Sequence, residues 1–211
     1  MRRKEIHGMM KELSDRIGIA AQNSLLIEAD CIAQLDKYLD NEQFAKAVEM
    51  LRNAERIGTS GCGHSGILCQ HFAHLMCCIE RPARFISPAE AVHGAMGFLK
   101  ENDVMVFVSR GGKTSELMPI LDFCREKGVK VISMTENLES PLANASDAVL
   151  KMFITRETDK WNTQGTTSFT VGAVLFHAIQ TALIEETDFQ AEQFGRIHPG
   201  GAVGARLNAK K

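Results

Sequence analysis

Arg56-Ile-Gly-Thr-Ser-Gly61-Cys-Gly-His-Ser-Gly66 reads as a short strand running through a glycine-rich turn into a helix that extends to about Cys78. Val104-Met-Val-Phe-Val-Ser109-Arg-Gly-Gly-Lys-Thr-Ser115 repeats the pattern. Its continuous apolar run marks a strand buried on both faces, and a helix from Thr114 to Lys127 follows the turn. Ala83–Ser87 gives a strand between the two, and Val129–Met134 and Ala148–Ile154 give two more. Strands that alternate with helices predict an α/β fold with a parallel sheet covered on both faces. Ligands of such sheets sit at the carboxyl ends of the strands, so chemistry belongs in the turns that follow them.

Outward from this frame, residues from about Glu5 to Leu39 carry Leu13, Ile17, Ala21, Leu25, Ile32 and Leu35 at helical spacings. That helix either packs on a partner subunit or covers its own domain. Asn41–Asn53 forms a second helix with Asn41 as its cap. The apolar run Val171–Ile184 contains His177 and Gln180, is too short to span a bilayer, and reads as a buried helix. Asp188–Gly195 reads as a short helix. The start Met1-Arg-Arg-Lys-Glu5 is basic but leads into no apolar core before Glu12 and Asp15, so no signal peptide is expected.

The chain has 211 residues, a size for one domain with a sizeable core. Its 24 basic and 26 acidic side chains leave a formal charge of −2, which argues against a nucleic-acid or membrane-surface binder. A small anion held locally remains compatible with it. The six cysteines show no CxxC spacing and fit small buried hydrophobes in a reducing cytoplasm better than a disulfide framework.

Two familiar turn motifs fail on inspection. Gly61, Gly63 and Gly66 match a dinucleotide fingerprint, but the next strand ends Phe85-Ile-Ser87-Pro88 with no acid at its tip for a ribose. Gly112-Lys113-Thr114 resembles the end of a P-loop, yet Phe107 stands where Walker A needs glycine. What survives is two turns rich in Gly, Ser and Thr at helix starts, where backbone N–H groups hold phosphate. Ser65, Ser109, Thr114 and Ser115 add hydroxyls, and Arg110 and Lys113 either add charge or are solvated. Thr166-Thr167-Ser168 with Thr170 forms a third polar cluster, which ordinary N-capping also explains.

Among the histidines, His71 and His74 near Cys78 have spacings that could grip zinc, but no further ligand is evident, and no metal is expected. His177 reads as a core histidine and His7 as uninformative. His64, His93 and His198 sit in or beside Gly/Pro turns. With Glu116 and Glu157 they offer groups for proton transfer near neutral pH, provided burial brings their pKa values into range; otherwise the glutamates are surface charges. His198-Pro-Gly-Gly-Ala-Val-Gly204 implies close backbone approach or a flexible tail.

These pieces together resemble the sugar isomerase (SIS) domain family, and most closely its bacterial arabinose-5-phosphate isomerases. The resemblance rests on Gly61-x-Gly-x-Ser-Gly66, Pro88-x-Glu-Ala-x-His-Gly94, Ser109-x-x-Gly-x-x-x-Glu116, Glu157, Thr166-x-Ser168-x-Thr170 and His198-Pro-Gly-Gly-Ala-x-Gly204. It implies a three-layer αβα sandwich around a five-stranded parallel sheet. Residues 1–40 would be an N-terminal helical segment, 41–207 the isomerase domain and 208–211 a tail. By the same resemblance, substrate phosphate is bound by Gly63, His64, Ser65, Ser109, Arg110, Gly111, Thr114, Ser115, Thr166, Thr167, Ser168 and Thr170. His93, Glu116, Glu157 and His198 match the catalytic positions. The implied activity is cofactor-free aldose–ketose isomerisation of a sugar phosphate in a cytoplasmic homotetramer whose sites are shared between subunits. D-Arabinose 5-phosphate and D-ribulose 5-phosphate lead the candidate substrates; a 6-phospho-3-hexulose isomerase or a non-catalytic phosphosugar sensor is the alternative.

Relatives often carry Lys at His64, Asp at Ala95 and Ser at Gly111, and a Cys-Pro replaced here within Thr158–Trp161. The tandem CBS pair of longer relatives is not expected, because the chain ends at Lys211.

Overall fold

The structure, a computed structural model, describes residues 3–209. Met1, Arg2, Lys210 and Lys211, with the side chains of residues 3–10, lie outside the described residues; the basic start, His7 and the end of the tail fall there.

The expected N-terminal helix divides at Gln34 into α1 (Arg3–Ala33) and α2 (Leu35–Tyr38). α3 (Asn41–Asn53) is capped by Asp40 rather than Asn41: the Asp40 carboxylate accepts the N–H groups of Glu42 and Gln43 at 3.0 and 3.1 Å. Asn41 is one residue too late, since its backbone is already helical. The alternating part follows as β1 (Ile57–Ser60), α4 (His64–Cys77), β2 (Ala83–Phe85), α5 (Pro88–Ala91), β3 (Val104–Val108), α6 (Met118–Lys127), β4 (Lys130–Thr135), α7 (Pro141–Asn144) and β5 (Ala148–Lys151). α8 (Thr167–Thr187), α9 (Ala191–Ile197) and α10 (Gly201–Asn208) complete the chain, so the Pro-Gly-Gly segment opens a helix instead of forming a loose tail.

All five strands are parallel, in the order β2-β1-β3-β4-β5. β3 is buried along its whole length, and its alternation sorts the two cores. Val104, Val106 and Val108 face Leu68, Phe72, Leu175 and Phe176 of α4 and α8, together with Ala47 and Leu51 of α3. Met105 and Phe107 face Ile120, Leu121 and Cys124 of α6, with Leu142 of α7. The result is a three-layer αβα sandwich. α8 has 21 residues rather than the 14 expected and is long and apolar enough to cross a membrane. Here its Val171, Gly172, Leu175, Phe176, Ile179 and Leu183 are buried in the domain instead.

α4 leaves β1 in a turn so tight that two glycines meet. A Cβ on Gly66 would lie 2.7 Å from the Gly61 carbonyl oxygen, and one on Gly61 would lie 2.8 Å from the Ser65 backbone. Neither neighbour is a side chain that can swing away. Gly66→Ala should therefore lower stability by about 1–3 kcal/mol, the cost of an overpacked site. Urea unfolding checks this; an unchanged midpoint would show that the turn can relax.

Candidate active site

The strand order reverses between β1 and β3: the chain leaves β1 for β2 on one side and reaches β3 on the other. This topological switch point opens a crevice at the carboxyl ends, where both glycine-rich turns lie. In the turn after β1, Gly63 has φ +55° and α4 begins at His64. In the turn after β3, the Ser109 and Thr114 hydroxyls are 2.8 Å apart, and Gly112 N–H donates to Ser109 Oγ at 3.1 Å. Gly112 has φ +64°, and a Cβ there would run into the Ser140 side chain. Gly111 is exposed beside it. In the first turn, burial pushes the Cys62 thiol up, and the charge of Glu116 adds to the effect.

The third cluster is organised by a buried acid. Glu157, 1% exposed, accepts from Arg110 Nη1 at 2.8 Å on one oxygen. Its other oxygen accepts Thr166 Oγ1 at 3.2 Å and Ser168 N–H at 3.1 Å. Thr166 makes no side-chain cap, so Glu157 satisfies an orphan N–H of α8 in its place. Arg110 also donates from Nε to Glu136 at 2.7 Å. The expected cation of the phosphate turn is thus already held by two carboxylates. Thr167 is buried, its hydroxyl without a partner among the described residues, while Ser168 and Thr170 are half-buried in the first turn of α8. His64, Ser65, Arg110 and Ser168 line one small pocket with Leu68, Val108 and Phe169. Gly165 lies against His64, where a Cβ would come within 3.1 Å of Nδ1.

The proposed proton-transfer groups are less concentrated. Glu116 is exposed; hydrogen bonds from its own backbone N–H, and then from Ser115 Oγ at 2.8 Å, hold its carboxyl below the usual range. Ser115 therefore serves Glu116 here. His93 is exposed just beyond α5, at the edge-strand side of the sheet. His198 lies against Phe194 with the rings tilted by 31° and their centroids 5.0 Å apart. It lines a groove of about 630 Å³ with His74, Cys78, Gln180, Ile184 and Phe189. His74 and Cys78 stand at the far end of α4 from His64, and a 14-residue helix spans about 21 Å at 1.5 Å per residue. Within one chain His198 is therefore not brought to the turns.

Sequence reading missed Glu136, although it follows β4 directly and the carboxyl-end rule covers that position. It also missed Asn162, whose Oδ1 accepts Glu157 N–H at 2.6 Å, and Asp159, whose carboxylate accepts the N–H groups of Trp161, Thr163 and Gln164.

His177 is exposed, not in the core, and its Nε2 lies 3.1 Å from His71 Nε2 across the α4–α8 contact. No group of three or more metal-ligating side chains is arranged to hold an ion among the described residues. Cys31, Cys69 and Cys124 are buried as expected, but Cys77 is exposed and Cys62 and Cys78 are partly so; all six thiols are free.

Residues 50–182 match the SIS domain family, and the chain belongs to that family. It is 37% identical over 192 residues to the arabinose 5-phosphate isomerase KdsD of Pseudomonas aeruginosa, covering 90% of this chain and 59% of the relative. It is 33% identical to GutQ of Salmonella typhimurium, another arabinose 5-phosphate isomerase, covering 92% and 61%. The chain thus spans about three fifths of the length of these curated relatives. Among solved structures, a putative sugar-phosphate isomerase from Listeria monocytogenes superposes with a TM-score of 0.85 at 34% identity, covering 87% of this chain and 97% of that one. An Escherichia coli protein in complex with arabinose 5-phosphate gives a TM-score of 0.76 at 26% identity, covering 94% and 100%.

Two outcomes follow from these contacts. Glu157→Ala leaves Thr166 Oγ1 and Ser168 N–H without their buried acceptor, while the part-exposed Arg110 keeps Glu136, and should cost about 1–3 kcal/mol; Glu157→Gln, which keeps the shape, should cost less. Thermal unfolding of both checks the order. Burial first, then His177 and His74, push His71 below its ordinary value of 6.5. A depressed imidazole stays neutral in the folded chain where the unfolded chain already binds a proton. Its contribution is therefore intact above pH 6.5 and lost as pH falls below it. His71→Asn should flatten the acid side of a plot of unfolding midpoint against pH, with little change above neutrality.

Proposed function

We propose that the chain is a cofactor-free aldose–ketose isomerase of sugar phosphates. The leading pair is D-arabinose 5-phosphate and D-ribulose 5-phosphate. The observation that carries the reading is the crevice at the β1–β3 switch point, where Ser65, Ser109, Thr114 and the N–H groups of two helix starts supply neutral donors for a phosphate. The activity in the relatives' names supports the same substrate class.

The reaction opens any ring, moves the C2 proton to C1 through a cis-enediol, and needs an acid/base pair beside a firmly held phosphate. His93 and His198 are the ring-opening and proton-transfer groups of this reading, with Glu116 or Glu157 as their partner. Glu116 is held below the usual carboxyl range, which makes it a weak base near neutrality. His198 faces away from its own chain's turns, so the site is completed by a neighbouring copy, and a homotetramer in the cytoplasm is the assembly we infer. The exposed face of α1 supports this, since Leu13, Ile17, Leu25 and Leu26 are each at least half exposed.

The test incubates the chain with pentose and hexose phosphates in EDTA and follows interconversion by NMR. Arabinose 5-phosphate turnover without metal is expected, and His93→Ala should reduce it ~10²–10⁴-fold, the usual contribution of a general acid–base group. Binding without interconversion across the panel would favour a phosphosugar sensor. Sedimentation checks the assembly, for which a monomer that retains full activity would be fatal.

A further inference from the structure

Arg110 stands between the buried acid and the pocket. Its side chain is 36% exposed and Glu157 is 1% exposed. Arg110, not Glu157, lines the pocket beside His64, Ser65 and Ser168. Of the five N–H groups of a guanidinium, Nε donates one to Glu136 and Nη1 donates one to Glu157. The other three have no acceptor among the described residues. The fork is therefore fixed by carboxylates on two elements while part of its donor edge stays free.

We propose that Arg110 is a catalytic residue that stabilises the enediolate oxygen of the isomerisation, and not a phosphate ligand. The inference rests on the isomerase reading above. When the C2 proton leaves to a base, its electron pair forms the C1–C2 double bond and the carbonyl pair moves onto O1. Transfer of the C2 hydroxyl proton to O1 and return of a proton at C1 give the ketose, with no change in oxidation state overall. The charge that develops on oxygen needs a donor that is already oriented, and a guanidinium clamped by two carboxylates meets that need.

The charge of the cluster decides against phosphate. Two carboxylates already offset the guanidinium, so it offers a phosphate no net cation to attract its nearly two negative charges. The guanidinium's free N–H edge can still donate to a single oxygen at hydrogen-bond range, where direction and distance decide more than net charge. That bond strengthens as the carbonyl oxygen gains charge in the transition state. The neutral hydroxyl pair of Ser109 and Thr114, of which one O–H stays free to donate, remains for the phosphate.

The experiment compares the full chain with Arg110→Met and Arg110→Lys for turnover, for deuterium exchange at C2 in D2O, and for inhibition by inorganic phosphate. Arg110→Met should lower kcat and C2 exchange together by ~10²–10³-fold, the loss typical of one oxyanion donor, with phosphate inhibition within twofold. Arg110→Lys keeps a cation beside Glu157 if the methionine variant does not fold, and should lose kcat with phosphate inhibition equally preserved. Thr114→Val, which removes a hydroxyl of the phosphate cradle, should weaken phosphate inhibition. A folded Arg110 variant with unchanged kcat, or with phosphate inhibition weakened tenfold, overturns the proposal and leaves the isomerase reading standing. A parent chain that interconverts no sugar phosphate overturns that reading, and this proposal with it, before any variant is compared.

Discussion

The Glu157 carboxylate joins three segments that sequence keeps far apart. It holds the turn after β3 through Arg110, 47 residues away, and the first turn of α8 through Ser168, 11 residues on. Its own backbone is fixed by Asn162 in the intervening loop. A buried carboxylate is tolerable only if its oxygens are filled, and these are filled by a cation, a hydroxyl and a helix-start N–H. The arrangement is mutual. α8 begins with donors that its own cap residue does not satisfy, and Arg110 gains in Glu157 a second, buried carboxylate beside Glu136. The pocket beneath Arg110 keeps its shape because of a residue that does not line it.

Parallel topology then divides the candidate groups between the two ends of the domain. Every strand delivers its turn to the same edge of the sheet, and every covering helix carries the chain back to the other edge. Ser65, Ser109 and Thr114 inherit the first edge. His198 follows α8 and α9 and inherits the second, beside the ends of α4 and α8. A fold of this kind cannot bring the two sets together within one copy without a long return segment. Under the isomerase reading, assembly is the remaining way to complete the site. The apolar residues of α1 are placed for such a role, because Leu25 and Leu26 are about two-thirds exposed on a helix whose later turns pack on α8.

The alternation of strand and helix was legible because strands buried on both faces leave continuous apolar runs. Val104–Val108 is the clearest case, and its burial is complete. The glycine turns were legible for a related reason: Gly61, Gly66 and Gly112 stand where a Cβ would strike backbone or a neighbouring side chain. Contacts between distant segments were not legible. Nothing local to Arg110 announces that two carboxylates occupy it, and nothing local to Glu157 separates a surface acid from a buried one. The capping of α8 failed for the same reason, because its cap comes from outside the helix. His177 failed differently. A lone histidine in an apolar run can sit on either face of the helix, and periodicity around it was too weak to say which.

The near balance of charge gains a structural meaning from these contacts. A chain of net charge −2 can present an anion site only through local donors. The obvious local cation, Arg110, is already shared by Glu136 and Glu157, and Lys113 is exposed on the turn. The donors that Ser109 and Thr114 themselves offer are neutral hydroxyls. Such donors select by direction more than by charge, since a hydrogen bond weakens steeply with misalignment while the attraction of a bare cation does not. Under the isomerase reading, a phosphate held in this way is fixed in orientation, and the rest of its sugar extends from a defined point. Orientation of that kind is what a proton transfer between adjacent carbons requires, because effective concentrations depend on the reacting atoms being held near their final geometry. A basic patch would bind the same anion without supplying it.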